Sequence, residues 1–351
     1  MRIVHFAPFA PNACGLYEAA RDMVIADCLA GHEVHLVDVG ITSLTGEHVP
    51  GSSGRIDNRG GSYIVTSDPL IVDSADVLIA HTGVPDNWIS RCQAPIVWIM
   101  HGRPAACFRP EQFGKGHSYS LMVGLSRWPR IKKMVTFWQH HMQYWEPVIP
   151  KEKLICLDVP PVDGNRFSPD GPVYDLKDFR GQWNVLIADS WREDIDIYEV
   201  VHGLFQIAEL TTGVKFHFCA VENPLGPWEH IFAKLKEVSV LGEVSARMLN
   251  MEERYRAVDL VLSPHRIATR VIIEALSCGV PVVAAEGCDL AQYTMKPDEP
   301  GTVASSIARA IVDLEKDKKS VLEKVEHQKQ RISLKRYSEQ MKEVYKSVVG
   351  G

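Results

Sequence analysis

Between Arg91 and Trp145 the chain carries Arg91, Arg103, Arg109, Lys115, Arg127, Arg130, Lys132 and Lys133 against one acid, Glu111. That is a surplus of seven positive charges in a protein whose formal net charge is −6. Within the segment, Arg127, Arg130, Lys132 and Lys133 are interleaved with Trp128, Trp138, Tyr144 and Trp145. Cations among aromatic rings suit a polyanion whose bases stack on the rings while its phosphates meet the charges. The same mixture on a helix suits an anionic membrane surface, and a buried helix with a solvated edge accounts for it with no ligand at all.

Other residues of the right type are scattered along the chain. Arg266 and Arg270 are four apart, so they share a face if a helix begins at Arg266. A helix beginning near Thr269 turns its free amides and its dipole toward any anion placed before it. His81 and His101 each close an apolar run beside a turn residue, and Gly15 lies in the first strand-to-helix turn. His140 and His141 are adjacent, hence ~100° apart on a helix, a poor metal geometry. No His/Asp/Glu cluster has ligand spacing, so no metal is expected. No Ser-His-Asp order or paired carboxylates stand out for a hydrolase.

The elements that hold these residues follow from pattern and length. At 351 residues, with 46% hydrophobic and 23% charged residues, the chain is long enough for about two globular domains. It has no apolar run of ~18 residues, and RIVHFAPFAP is broken by proline too early for a secretory leader. Eight scattered cysteines without a Cys-x-x-Cys pair fit a reducing cytoplasm. RIVHFAPF, EVHLVDVG, VDSADVLIAHTG and APIVWIMHG read as strands, with the helix LYEAARDMVIADCLA after the first. KLICLDVPPVDGNRFSPDGP reads as a linker. The alternation then restarts with WNVLIADS and ends in amphipathic helices, ISLKRYSEQMKEVYKSVV last. The expected architecture is α/β: two Rossmann-like domains facing across a cleft, with ligands at the carboxyl ends of the strands.

Five segments in order resemble the retaining GT-B glycosyltransferases, specifically family 4. They are GHEV, PIVWIMHG, VPPVDGNRFSP, LGEVSARMLNMEERYRAVDLVLSP and IIEALSCGVPVVAAEG, the last matching Glu-Ala-x-x-x-Gly-x-Pro-Val-Val-Ala. The resemblance implies an acceptor-side domain over residues 1–165, with the final helix at 333–349 packing back on it. It implies a nucleotide-sugar-binding domain over 166–332. The expected activity is transfer of a sugar, with retention, from a nucleotide sugar (UDP-linked) to a hydroxyl, with no further cofactor. Glu274 would hold the ribose hydroxyls, as a carboxylate facing two vicinal donors can. His101 would be the active-site histidine, and Gly15, Ser190, Arg192, Val244, Arg266, Thr269 and Arg270 would line the donor.

The chain departs from the family where charge matters. Arg266 stands in place of a sugar-binding glutamate, and IATR contains no glycine. Asp189 and Ser190 end a strand that usually closes in Gly-Arg, and no lysine follows before the next helix. Arg270, Arg192 and Arg266 are therefore expected to neutralise the diphosphate from new positions. The basic aromatic segment, through Arg103, Arg127, Trp128, Arg130, Lys132 and Lys133, points to a nucleic-acid acceptor carrying a hydroxymethylated base. The alternatives are a membrane lipid or polysaccharide precursor with peripheral membrane contact, and a small soluble acceptor. A sugar-nucleotide epimerase and a catalytically dead nucleotide-sugar-binding protein are the rival function classes. Oligomeric state is not legible.

Overall fold

The computed structural model describes residues 1–7, 15–38, 41–42, 48–49, 54–58, 61–66, 69–81, 92–101, 119–188, 197–219, 226–245 and 250–350. The chain divides into two compact units, Met1–Asp163 together with Ser333–Gly351, and Gly164–Ile332.

The first unit opens with β1 (Arg2–Ala7), α1 (Gly15–Leu29) and β2 (Glu33–Asp38). A small ribbon of β3 (Ile41–Thr42) and β4 (His48–Val49) follows, then β5 (Gly54–Asn58) and β6 (Gly61–Thr66). Next come β7 (Val77–Ala80), β8 (Ile96–Ile99), α2 (Tyr119–Ser126), β9 (Ile131–Thr136), α3 (Gln139–Trp145) and β10 (Leu154–Cys156). The main sheet runs β10-β9-β8-β7-β1-β2-β6-β5, parallel except for the β5–β6 pair. VLIA of β7 and IVWI of β8 are buried throughout, as strands covered on both faces must be. Met23 and Val24 of α1 pack on one face beside Tyr337, Met341 and Tyr345 of α9 (Leu334–Val349), so the chain's last helix belongs to this core.

The second unit repeats the plan. It contains β11 (Trp183–Ala188), α4 (Ile197–Leu210), β12 (Val214–Cys219), α5 (Gly226–Glu237) and β13 (Leu241–Val244). Then follow α6 (Met251–Ala257), β14 (Leu260–Ser263), α7 (Arg270–Ser277), β15 (Val282–Ala285), β16 (Tyr293–Met295) and α8 (Pro300–Arg331). Its all-parallel order is β13-β12-β11-β14-β15-β16. In both sheets the strand order reverses beside the first strand, between β1 and β7 and between β11 and β14, where open α/β sheets bind ligands. Gly203 lets α8 lie close on α4: a Cβ there would stand 2.6 Å from Val303 Cβ.

One sequence expectation is corrected, and two conditional readings are decided. KLIC is not linker, because Leu154–Cys156 pairs in register with Met134–Thr136 as the sheet edge; three residues are too few to show a period. The basic aromatic segment is not one helix. Ile131–Thr136 is strand β9, and α3, QHHMQYW, carries no Lys or Arg. Arg266 and Arg270 do not share a helical face either. Thr269 is extended (φ −70°, ψ 167°), so α7 starts only at Arg270 and Arg266 is exposed in the bend before it.

Candidate functional site

In the second unit, β14 delivers the chain to the amino end of α7. Its N-cap, Thr269, makes no side-chain capping bond, and the first-turn amides have no intrahelical acceptor. One turn in, Glu274 is 5% exposed. Its Oε1 receives Arg270 Nε at 2.9 Å and lies 2.8 Å from Arg270 Nη2. Its Oε2 receives the Tyr255 hydroxyl at 3.0 Å. Burial first, then the charge of Glu274, pushes the Tyr255 phenol well above its ordinary pKa, so it stays a donor. The Arg270 guanidinium also lies 5.8 Å from the Phe167 ring centroid. A carboxylate this deep persists because it is paired and hydrogen-bonded.

Val244 ends β13, half-buried. Beside it, Glu243 accepts the Tyr174 hydroxyl at 2.9 Å and Arg254 Nη2 at 3.2 Å, while the Arg254 guanidinium sits 3.9 Å from the Tyr174 ring centroid. Sequence reasoning missed this lattice, because an arginine on the short helix MEERYRA looks solvated. Gly15 is the first residue of α1. Arg103, Ser190 and Arg192 lie outside the described residues.

In the first unit, His5 within β1, His81 directly after β7 and His101 beyond the end of β8 come into line. His81 Nδ1 is 2.9 Å from His101 Nε2, and His81 Nε2 is 2.9 Å from His5 Nδ1. His5 Nε2 is 2.9 Å from Asp27 Oδ2, which also accepts the Tyr345 hydroxyl at 2.6 Å. Asp27, His5 and His81 are buried, and His101 is half-buried. His5 and Asp27 were not picked out from the sequence. The available signals were a histidine in the middle of the apolar strand RIVHFA and an acid on the inward side of α1.

The basic cluster stands elsewhere. The Arg130 carbonyl accepts the Ile96 amide at 2.8 Å, so Arg127 to Lys133 lie at the amino ends of β8 and β9. His101 follows the carboxyl end of β8, roughly 15 Å further along the strand direction. The cluster and His101 therefore do not form one local site. Arg127, Trp128 and Lys132 are exposed. Arg130 is bonded to the Cys92 carbonyl and to Gln93 Oε1, and Lys133 Nζ to the Glu152 carbonyl at 2.7 Å. Among the described residues, no three His, Cys, Asp or Glu side chains converge as a metal site, and no helix is long and apolar enough to cross a membrane.

No protein-family model matches the chain, and no curated protein matches it by sequence. Solved structures do. A glycosyltransferase from Rickettsia africae is 14% identical, with a TM-score of 0.66, over 99% of this chain and 98% of that one. Anabaena Alr3699/HepE, in complex with UDP and glucose, is 15% identical with a TM-score of 0.65, over 97% and 98%. An alpha-glucosyltransferase in complex with UDP-glucose and DNA containing an abasic site is 13% identical with a TM-score of 0.60, over 98% and 99%. At these identities the likeness shows the fold: an α/β chain of the GT-B glycosyltransferase architecture.

Proposed function

We propose that this chain is a nucleotide-sugar-dependent glycosyltransferase that moves a sugar, with retention, to a hydroxyl acceptor. The observation that carries the reading is Glu274, a buried carboxylate oriented by Tyr255 and Arg270 one turn inside the amino end of α7. Two vicinal ribose hydroxyls are the donors such a carboxylate suits. The first-turn amides of α7 suit a diphosphate. Arg270, at the first helical position, opposes the helix dipole, and an anion placed there removes that conflict; Arg192 and Arg266 would share the charge. UDP is the preferred nucleotide, supported by its presence in two of the similar structures. His101 is the histidine assigned to the transferred sugar.

The test is to incubate the protein with a panel of nucleotide sugars and follow free nucleotide. Slow release without an acceptor is the expected result. Interconversion of sugars would instead indicate an epimerase, and tight binding with no turnover a dead binding protein.

For the acceptor we propose DNA carrying a hydroxymethylated base, flipped from its stack to react. Exposed Arg127 and Lys132 would anchor phosphates, and Trp128 would stack a base, away from the reacting base, which a polymer can do and a small acceptor cannot. The similar structure holding DNA supports this choice. DNA binding is then expected to weaken with salt, and Arg127→Ala with Lys132→Ala to reduce the log–log slope by about 2. An unchanged slope would remove DNA as the acceptor; co-sedimentation with anionic vesicles in its place would favour a membrane lipid.

A further inference from the structure

Resting on the nucleotide-sugar reading of the second unit, we propose that Arg270 is a latch that makes the nucleotide site selective for diphosphates. Paired with Glu274, it covers the carboxylate that ribose needs, and a diphosphate at the amino end of α7 draws it away. The closed arrangement is the one the structure holds. Arg270 Nε and Nη2 stand 2.9 and 2.8 Å from Glu274 Oε1, and the Tyr255 hydroxyl donates to Oε2 at 3.0 Å. Both oxygens are thus engaged by the protein itself. The Glu274 side chain is 6% exposed and that of Arg270 11%, so two vicinal hydroxyls reach the carboxylate only when a side chain moves. Tyr255 is fully buried. Arg270, half-buried at the first position of the helix, is the partner able to swing.

The pair is built in the weaker sense. Ion pairs four residues apart on a helix are favoured with the acid toward the amino end, and here the order is Arg then Glu. The cation therefore faces the positive end of the helix dipole. Thr269, the N-cap, is an independent sign that an anion belongs there. Its Oγ1 is buried and takes no hydrogen bond among the described residues, although an N-cap hydroxyl ordinarily accepts from the first turn. A phosphate against the first-turn amides brings the negative charge this end of α7 favours. It also offers the planar guanidinium a second anion that matches its fork.

The exchange balances only when both halves of the ligand arrive. Ribose alone has to push Arg270 off its carboxylate and leave a cation against the helix dipole. Phosphate alone takes Arg270 and leaves Glu274 a buried charge without its cation, and separating a buried pair is costly. Together the two changes compensate: phosphate replaces Glu274 at Arg270, and the ribose hydroxyls replace Arg270 at Glu274. Tyr255 keeps Oε2 oriented throughout, because its phenol stays protonated. The nucleoside and phosphate halves of one nucleotide therefore bind with positive cooperativity, which linkage makes reciprocal. Nucleosides and free phosphate are each held weakly, and the intact nucleoside diphosphate is selected.

The test titrates the full chain at constant ionic strength with uridine and inorganic phosphate as separate probes, since a single phosphate leaves room for the 5′ hydroxyl of uridine. Uridine should bind about 10-fold more tightly, or better, at saturating phosphate, and phosphate should gain the same factor at saturating uridine. Arg270→Gln opens the latch. Uridine alone should bind this variant about 10-fold more tightly than wild type, phosphate should bind it more weakly, and the coupling should vanish. Should that variant not fold, Arg270→Gln with Glu274→Gln has no ion pair to exchange and should bind the probes without coupling. In a crystal structure with UDP, Arg270 should lie on the diphosphate, more than about 4 Å from Glu274 and so outside ion-pair distance. Independent binding of the two probes to wild type would overturn the latch. So would Arg270→Gln losing phosphate affinity without gaining uridine affinity, the mark of a plain phosphate contact, coupling that persists in the double variant, or Arg270 still on Glu274 with UDP bound. Each of these leaves the nucleotide reading intact, whereas no binding of UDP at all ends both.

Discussion

Glu274→Gln is expected to lower kcat/KM for the nucleotide sugar by about 10²- to 10³-fold, a loss of about 3–4 kcal/mol in transition-state stabilisation. Glutamine keeps the length and one acceptor oxygen but removes the charge. That charge answers two partners. The ribose hydroxyls would lose a charged acceptor, where hydrogen bonds are roughly twice as strong as neutral ones. Arg270, whose side chain is 11% exposed, would lose its counter-ion, and removing one partner of a buried pair costs about 3–5 kcal/mol. The two consequences separate experimentally. Arg270→Gln in the Glu274→Gln background restores neutrality and should recover most of the stability read by thermal unfolding, while leaving donor turnover low. Tyr255→Phe removes one oriented donor and leaves the charge, so its effect on kcat/KM should be about 10-fold. A well-folded Glu274→Gln protein with wild-type kcat/KM would end the donor assignment.

The parallel strands and helices were legible because each spans several residues of one period. The strands VLIA and IVWI are uninterrupted apolar runs, and Gly279, with φ +80°, closes α7 where a left-handed residue is needed. What could not be read was pairing across the chain. Asp27 and Tyr345 lie 318 residues apart and meet only because α9 packs on α1. His5 and His81 are 76 apart and meet because β1 and β7 are neighbours across a strand-order reversal. Spacing alone did not decide either. The four-residue interval of Arg266 and Arg270 has meaning only inside a helix, and the extended Thr269 ends that argument. The charge surplus between Arg91 and Trp145 was real, but sequence proximity hid the fact that Arg127 and His101 sit at opposite ends of parallel strands.

Acidification between about pH 6.5 and 4 is expected to destabilise the second unit through His217 by about 3 kcal/mol. The ring is buried against β13. Its Nδ1 accepts the Glu243 amide at 3.2 Å and its Nε2 lies 3.2 Å from Asn184 Oδ1, so both nitrogens are used by the neutral form. A proton on Nδ1 would face the Glu243 N–H, and Gly242 leaves no slack, since a Cβ there would stand 2.6 Å from Nδ1. Burial, only partly offset by Glu243, lowers the pKa from 6.5 to about 4. The unfolded chain therefore binds a proton between these values that the folded chain refuses. The stabilising contribution is complete above pH 6.5, declines as pH falls, and is lost below about 4. At 1.36 kcal/mol per unit of pKa, the interval amounts to about 3 kcal/mol, a fall in Tm on the order of 10 °C for a unit of this size. His217→Gln cannot titrate. Its Tm should be lower than wild type at pH 7.5, and the gap should shrink as pH approaches 4.5. Comparing the two proteins at each pH cancels the carboxylates that titrate in both. Parallel losses of Tm in wild type and variant would place the acid sensitivity elsewhere, with His81 of the first unit, depressed by burial in the same direction, the next group to replace.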